Sequence, residues 1–253
     1  MKICFLGNSH LGPFMAVGPQ HVQNTGHQAR FVAQRSFGTV PLRFSSMASG
    51  KTAEFPDIKI VDESQSPDPI DVNDWDALVL VGFGFGLMGI QTVLGTCRPD
   101  SDPRESDLPL LSEGAFQETL DNYFDDQPSC QILRSLQELE AERLVLIPQA
   151  HPLSWIATRD DRRLRWWQST LNADLSGWLR AQFDHQVERV EARGITVIRQ
   201  PEETVTESAL TLSEFGMAQD VPNNSFWENV DYYHTNKSLA DLTLHALLDR
   251  LQP

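Results

Sequence analysis

Two short stretches near opposite ends of the 253-residue chain carry side chains able to do covalent chemistry. Ser9 stands in Leu6-Gly7-Asn8-Ser9-His10, directly after the apolar run at residues 3–6. A hydroxyl in that place ends a strand and starts whatever helix follows, where helix-end amides favour developing negative charge. The same serine also reads as an ordinary helix cap. Near the other end, Asp231 and His234 stand three apart in Asn229-Val230-Asp231-Tyr232-Tyr233-His234. In a turn or helical start that spacing puts both on one face, so the carboxylate can orient the imidazole while its second nitrogen faces a nucleophile. A surface Asp and a His capping the last helix would leave the same pattern. His10, beside Ser9, is expected to point away from it, as a structural group or a substrate contact rather than the base.

Such groups, 225 positions apart, need a scaffold that returns both ends of the chain to one place. Short, nearly continuous apolar runs at residues 3–6, 29–33, Ala77–Val81, Leu144–Ile147 and 195–198 suit strands covered on both faces. The run at residues 58–61 reads as a further strand or an edge piece. Between them lie helical stretches. Asp126 and Pro128 are start signals for an apolar stripe through Ile132, Leu133, Leu136 and Leu139. Helical spacing over residues 160–193 predicts one long helix stopped by Gly194, with Trp167 and Trp178 on its buried stripe. A last amphipathic helix covers residues 238–251. Strands alternating with helices predict a three-layer α/β domain with a mostly parallel sheet, here five-stranded. Residues 1–253 are expected to form a single domain, interrupted by an acidic, proline-bearing insertion at about 95–126. That insertion begins at the edge where open α/β sheets bind ligands, and it reads either as a lid or as a solvated excursion.

Composition narrows the possibilities. Asp and Glu outnumber Lys and Arg by 35 to 20, for a formal charge of −15, so nucleic acid and anionic membranes are poor partners. No apolar run is long enough to span a membrane, and the opening run is too short for a signal-peptide core. Cys4, Cys97 and Cys130 cannot all pair, and their spacing is not that of a zinc site. A soluble protein of the reducing cytoplasm is expected.

Taken together, Gly-Asn-Ser after the first strand and Asp-x-x-His before the last helix resemble the end motifs of the SGNH (GDSL-type) hydrolases. The resemblance implies a flavodoxin-like sandwich and a triad of Ser9 as nucleophile, His234 as base and Asp231 as its orienting acid. Asn8 stands where the family usually has Asp. The family also implies an oxyanion hole built from the nucleophile's amide, a second-block glycine and an Asn after the third strand. Gly50 is the expected second-block glycine, with Gly38 competing. Gly84 falls where the Asn belongs, and Asn73, Gln149 and His151 are replacement donors among which the sequence does not choose. Loss of one such side-chain donor costs on the order of a hundredfold to a thousandfold in rate.

The expected activity is hydrolysis of an acyl, notably acetyl, ester of a carbohydrate or other small molecule, with no metal or organic cofactor. A catalytically impaired glycan- or acyl-binding protein and an O-acyltransferase of the same fold are the alternatives. Gly84-Phe85-Gly86-Leu87-Met88-Gly89 matches a dinucleotide fingerprint. However, it follows the third strand rather than the first, and Gly95, Pro99 and Pro103 soon interrupt any helix after it. A glycine-lined pocket or a tight turn is the better reading. Trp227, four residues before Asp231, is a candidate for the pocket mouth.

Overall fold

The computed structural model describes the chain apart from residues 35–39, 63–67, 105–106, 160–163, 174, 222–223, 225, 227–230 and 253, and the side chains of Asp62 and Trp166. Gly38 and Trp227 therefore lie outside the described residues. The apolar runs form the middle of one eight-stranded sheet. Its parallel core comprises β1 (Lys2–Gly7), β2 (Gln28–Gln34), β6 (Ala77–Val81), β9 (Leu144–Ile147) and β10 (Thr196–Val197). They lie in the spatial order β10-β9-β6-β1-β2. Counted along the chain, that is the 2-1-3-4-5 order of flavodoxin-like sheets. Side chains alternate across β1, which explains why the run is apolar throughout. Ile3 and Phe5 face one core, shared with Phe14 and Val22 of α1 (Gly12–Asn24) and Leu244 and Leu247 of α7 (Lys237–Leu251). Cys4 and Leu6 face the other core, with Ile90 of α2 (Leu87–Leu94), Leu120 of α3 (Glu113–Asp125), Leu133 of α4 (Pro128–Glu138) and Val187 of α6 (Ser176–Glu191). Each fully buried Leu or Phe contributes about 1.5–3 kcal/mol by leaving water.

The sheet is larger than the five strands expected. A hairpin of β3 (Val40–Ser46) and β4 (Lys51–Asp62) adds to β2, and β5 (Ile70–Asp71) adds to β3. Only the last residues of β4 pair with β2, antiparallel, and the hairpin register shifts between Pro41 and Leu42. The run at residues 58–61 is therefore the second half of a long strand. The hairpin's alternation of polar and apolar residues reflects one buried face, with Leu42 and Phe44 inward. Its tip lies at the edge where the parallel strands begin. There the Lys51 ammonium donates to the Glu138 carbonyl at 3.1 Å, just ahead of β9, and Asn73 Oδ1 accepts from Ser46 Oγ at 3.1 Å.

The long helix expected over residues 160–193 is two helices, α5 (Arg165–Asn172) and α6, parted at 173–175. Asn172 ends the first and Ser176 begins the second, residue types that favour helix ends over helix interiors. Trp167 is buried as expected, and Trp178 packs against the core. The 95–126 segment holds β7 (Arg98–Pro99) and β8 (Leu110–Leu111), paired in parallel, followed by α3. Phe116, Leu120 and Phe124 of α3 are buried, so this part of the insertion is a packed layer of the domain rather than a solvated excursion. The three cysteines are buried free thiols. Among the described residues, no helix is long and apolar enough to cross a membrane.

Candidate active site

Ser9 leaves the sheet at the C-terminal end of β1, in a single helical turn (Ser9–Leu11) that precedes α1. Asn8 caps this turn, its side-chain oxygen accepting the His10 amide at 3.2 Å. The cap leaves Ser9 exposed and occupies the space over Gly82, where an added Cβ would fall 2.7 Å from Asn8 Oδ1. Asn8 at this position is thus a turn residue that locks β1 to the loop after β6.

From the opposite end of the chain, residues 231–236 reach the same edge as an irregular strap. Backbone bonds hold it on both sides: Leu153 N–H donates to the Tyr232 carbonyl, Met217 N–H to the His234 carbonyl, and Asn236 N–H to the Phe215 carbonyl. Asn236 then caps α7 by accepting the Leu239 amide, and its own amide group donates to the Glu214 carbonyl. Within this strap Asp231 is 3% exposed. Its Oδ1 accepts His234 Nδ1–H at 2.6 Å, and its Oδ2 accepts the His234 backbone N–H at 3.1 Å. A carboxylate can only accept, so the ring proton sits on Nδ1 and Nε2 presents a lone pair. Nε2 lies 2.8 Å from Ser9 Oγ. The three residues expected to work together therefore form one continuous hydrogen-bonded chain, from a buried carboxylate to an exposed hydroxyl.

His10 takes a place that the sequence did not indicate. Its ring stacks on that of His234, with centroids 4.8 Å apart and planes 19° apart. Burial, and then the repulsion that two charged imidazoles would feel beside each other, push its pKa down to about 3, so it stays neutral across the ordinary range. Behind it opens a pocket of about 480 Å³, counting its mouth, walled by Phe14, Val81, Ile147, Phe183 and Leu239. His10 and Thr235 contribute to that wall, whereas Ser9 and His234 lie outside it.

The loop after β6 makes a sharp turn with Gly82, Phe83 and Gly84 all at positive φ (78°, 51° and 87°). The glycines of the dinucleotide-like run are filled from within the protein. A Cβ at Gly84 would meet Gln127 Oε1 at 2.2 Å, one at Gly86 would meet Gln149 Cβ at 2.9 Å, and one at Gly89 would meet Phe124 Cζ at 2.9 Å. A helix does follow, but α2 is only eight residues long. The fingerprint here is close internal packing. Gln127 is a residue that sequence reasoning missed: its neighbour Pro128 signalled a helix start, and nothing marked the side chain before it. Its carboxamide fills the space a side chain at position 84 would take, and its Nε2 donates to the Tyr123 carbonyl at 3.2 Å.

Gly50 and Asn73 lie away from Ser9, whereas Gln149 and His151 line the pocket behind His10. Gly50 sits at the β3–β4 tip, on the far edge of the sheet, with its amide donating to the Ser46 carbonyl at 2.8 Å. Gly50 follows β3 rather than β2, and the bent hairpin carries its tip to the edge where the parallel strands begin. Asn73 is engaged at that same tip. His151 is buried, with Nδ1 on the Ala209 carbonyl at 2.9 Å, and burial pushes its pKa down to about 4. The Ser9 and Gly84 amides make no hydrogen bond among the described residues.

No protein-family model matches the chain, and no curated protein matches it. Solved structures do. Over 99% of its length it is similar to a GDSL-like lipase from Bacteroides thetaiotaomicron, with 8% identity, 89% of that chain covered and a TM-score of 0.43. A DUF4886-family protein from Bacteroides uniformis matches over 99% of this chain and 83% of its own, with 11% identity and a TM-score of 0.48.

Proposed function

We propose that the protein is a serine esterase that removes a small acyl group, such as acetyl, from a carbohydrate or other small molecule. The observation that supports this is the hydrogen-bonded chain Asp231–His234–Ser9, with its lone pair facing the serine hydroxyl. Ser9 Oγ attacks the ester carbonyl as His234 Nε2 takes its proton, while Asp231 holds Nδ1–H and stabilises the imidazolium. The tetrahedral adduct collapses, and the alcohol leaves with the proton from Nε2. Water, deprotonated by the same nitrogen, then attacks the acyl-enzyme, releasing the acid and restoring Ser9. The amides of Ser9 and Gly84 are the proposed oxyanion donors. One such donor is worth about 10²–10³ in rate.

The test is labelling with a fluorophosphonate probe, followed by turnover of an acetyl ester. Wild type is expected to label at Ser9, and Ser9→Ala to lose the label while keeping its fold by circular dichroism. Asp231→Asn should lower turnover by about 10⁴-fold, the size of effect that a wrong imidazole tautomer produces. A folded wild type that takes no label, or an Asp231→Asn variant with unchanged turnover, contradicts the assignment.

A further inference from the structure

Away from Ser9, three metal-ligating side chains converge between α1 and α7. His21 of α1 points across the helix pair to Asp241 of α7, with Nδ1 3.0 Å from Oδ1. His245, one turn further along α7, places Nε2 3.7 Å from Asp241 Oδ2. The two imidazoles meet edge to face with centroids 4.2 Å apart, and the three ligand atoms all lie within 4.8 Å of one another. Bonds of about 2.1 Å in a tetrahedral site put neighbouring ligands about 3.4 Å apart. The separations of 3.0 Å to Asp241 Oδ1 and 3.7 Å to Oδ2 bracket that spacing, one carboxylate oxygen facing each imidazole.

We propose that His21, Asp241 and His245 form a surface site for one divalent transition cation, Zn²⁺ foremost. Two imidazoles and one carboxylate suit zinc, copper and nickel, and disfavour calcium and magnesium, which take oxygen ligands. On binding, His21 Nδ1 becomes a ligand and the imidazole carries its one remaining proton on Nε2: the proton between Nδ1 and Asp241 is displaced to solvent while Nε2 holds or takes up one, so the ring stays neutral. His21 is mostly covered, whereas Asp241 and His245 are half-exposed or more, so the fourth position faces water.

The placement has a structural effect. α1 begins at Gly12, three residues past Ser9, and α7 begins at Lys237, three residues past His234. The cation would clip together the two helices that carry the ends of the hydrogen-bonded chain. This site does not depend on whether Ser9 reacts.

Zinc chloride titrated into chelator-treated protein should show one saturable site by calorimetry. Saturating zinc should raise the melting temperature by about 5 °C, as expected for a ligand well above its dissociation constant on a chain of this size. Co²⁺ should give the visible absorption of a low-coordinate N/O site. His21→Ala and His245→Ala should each weaken zinc binding at least about tenfold and abolish the thermal shift, with Asp241→Asn intermediate. His185→Ala, outside the cluster, should keep both. A wild type that shows no saturable zinc site, or a His21→Ala variant that binds as tightly as wild type, overturns the proposal.

Discussion

Gly82 and Gly50 look alike locally. Each follows a strand, and each holds a positive φ, 78° and 68°. Their surroundings differ completely. The space beside Gly82 is taken by Asn8 and the His10 ring, so the turn that presents Ser9 leans on the missing side chain. Beside Gly50 there is nothing within 4 Å, and its hairpin tip points to the edge where β9 enters the sheet. A positive φ marks a turn. What fills the space of the absent Cβ decides whether the turn belongs to a site.

Substitutions and pH can test that contrast. The largest effect of a single substitution is expected at Gly82→Ala, where left-handed strain and the clash with Asn8 Oδ1 add to about 3 kcal/mol. Fluorophosphonate labelling should fall at least tenfold as the Ser9 turn shifts. Labelling at the wild-type rate would break the contrast.

Apart from substitutions, pH tests the same half of the molecule, because it buries His10 and His151 as neutral rings. The unfolded chain protonates both below about 6.5, whereas the folded chain resists until about 4 for His151 and about 3 for His10. Stability is therefore complete above pH 6.5 and declines as pH falls towards 3, each ring contributing up to about 1.4 kcal/mol per pH unit. Denaturant titrations at stepped pH measure the slope, and His10→Gln should flatten it by one proton's worth. An unchanged slope in that variant would rule out the neutral-ring account.

A smaller effect is expected from Gly84→Asn, which installs the Asn that the resemblance to the SGNH hydrolases implies for this position. It should cost 1 to 2 kcal/mol by displacing Gln127 and its bond to Tyr123, roughly the worth of one hydrogen bond plus overpacking. Adding Gln127→Ala should recover part of that loss. If Gly84→Asn alone is neutral, the packing described for Gln127 is wrong. Smallest is Gly50→Ala, expected to lose about 1 kcal/mol to backbone strain alone and to leave labelling unchanged.

The same contrast shows what the sequence could reveal. Ala77–Val81 and Leu144–Ile147 were legible because burial on both faces makes each run apolar end to end, while Arg30 in β2 and Thr196 in β10 left weaker runs. Ser9, Asp231 and His234 were legible because strand ends and a short spacing fix them locally. The hairpin was not, since Val40–Ser46 alternates like any half-exposed segment and its direction depends on a register shift at Pro41. Gln127 and His10 escaped because their significance lies in what they touch: an empty glycine position and another ring. The His21–Asp241–His245 cluster escaped for the same reason, its members being drawn from helices 220 positions apart.

The bond between Ser9 and His234 spans 225 positions of chain. During synthesis Ser9 emerges 225 residues ahead of His234, so through that stretch of translation the nucleophile has no base beside it. Closure of so distant a contact is also among the slower events of folding. Acquisition of the Ser9–His234 contact is therefore a stopwatch for completed folding, and the time lag between compaction and probe reactivity would read out the final docking of α7 onto α1.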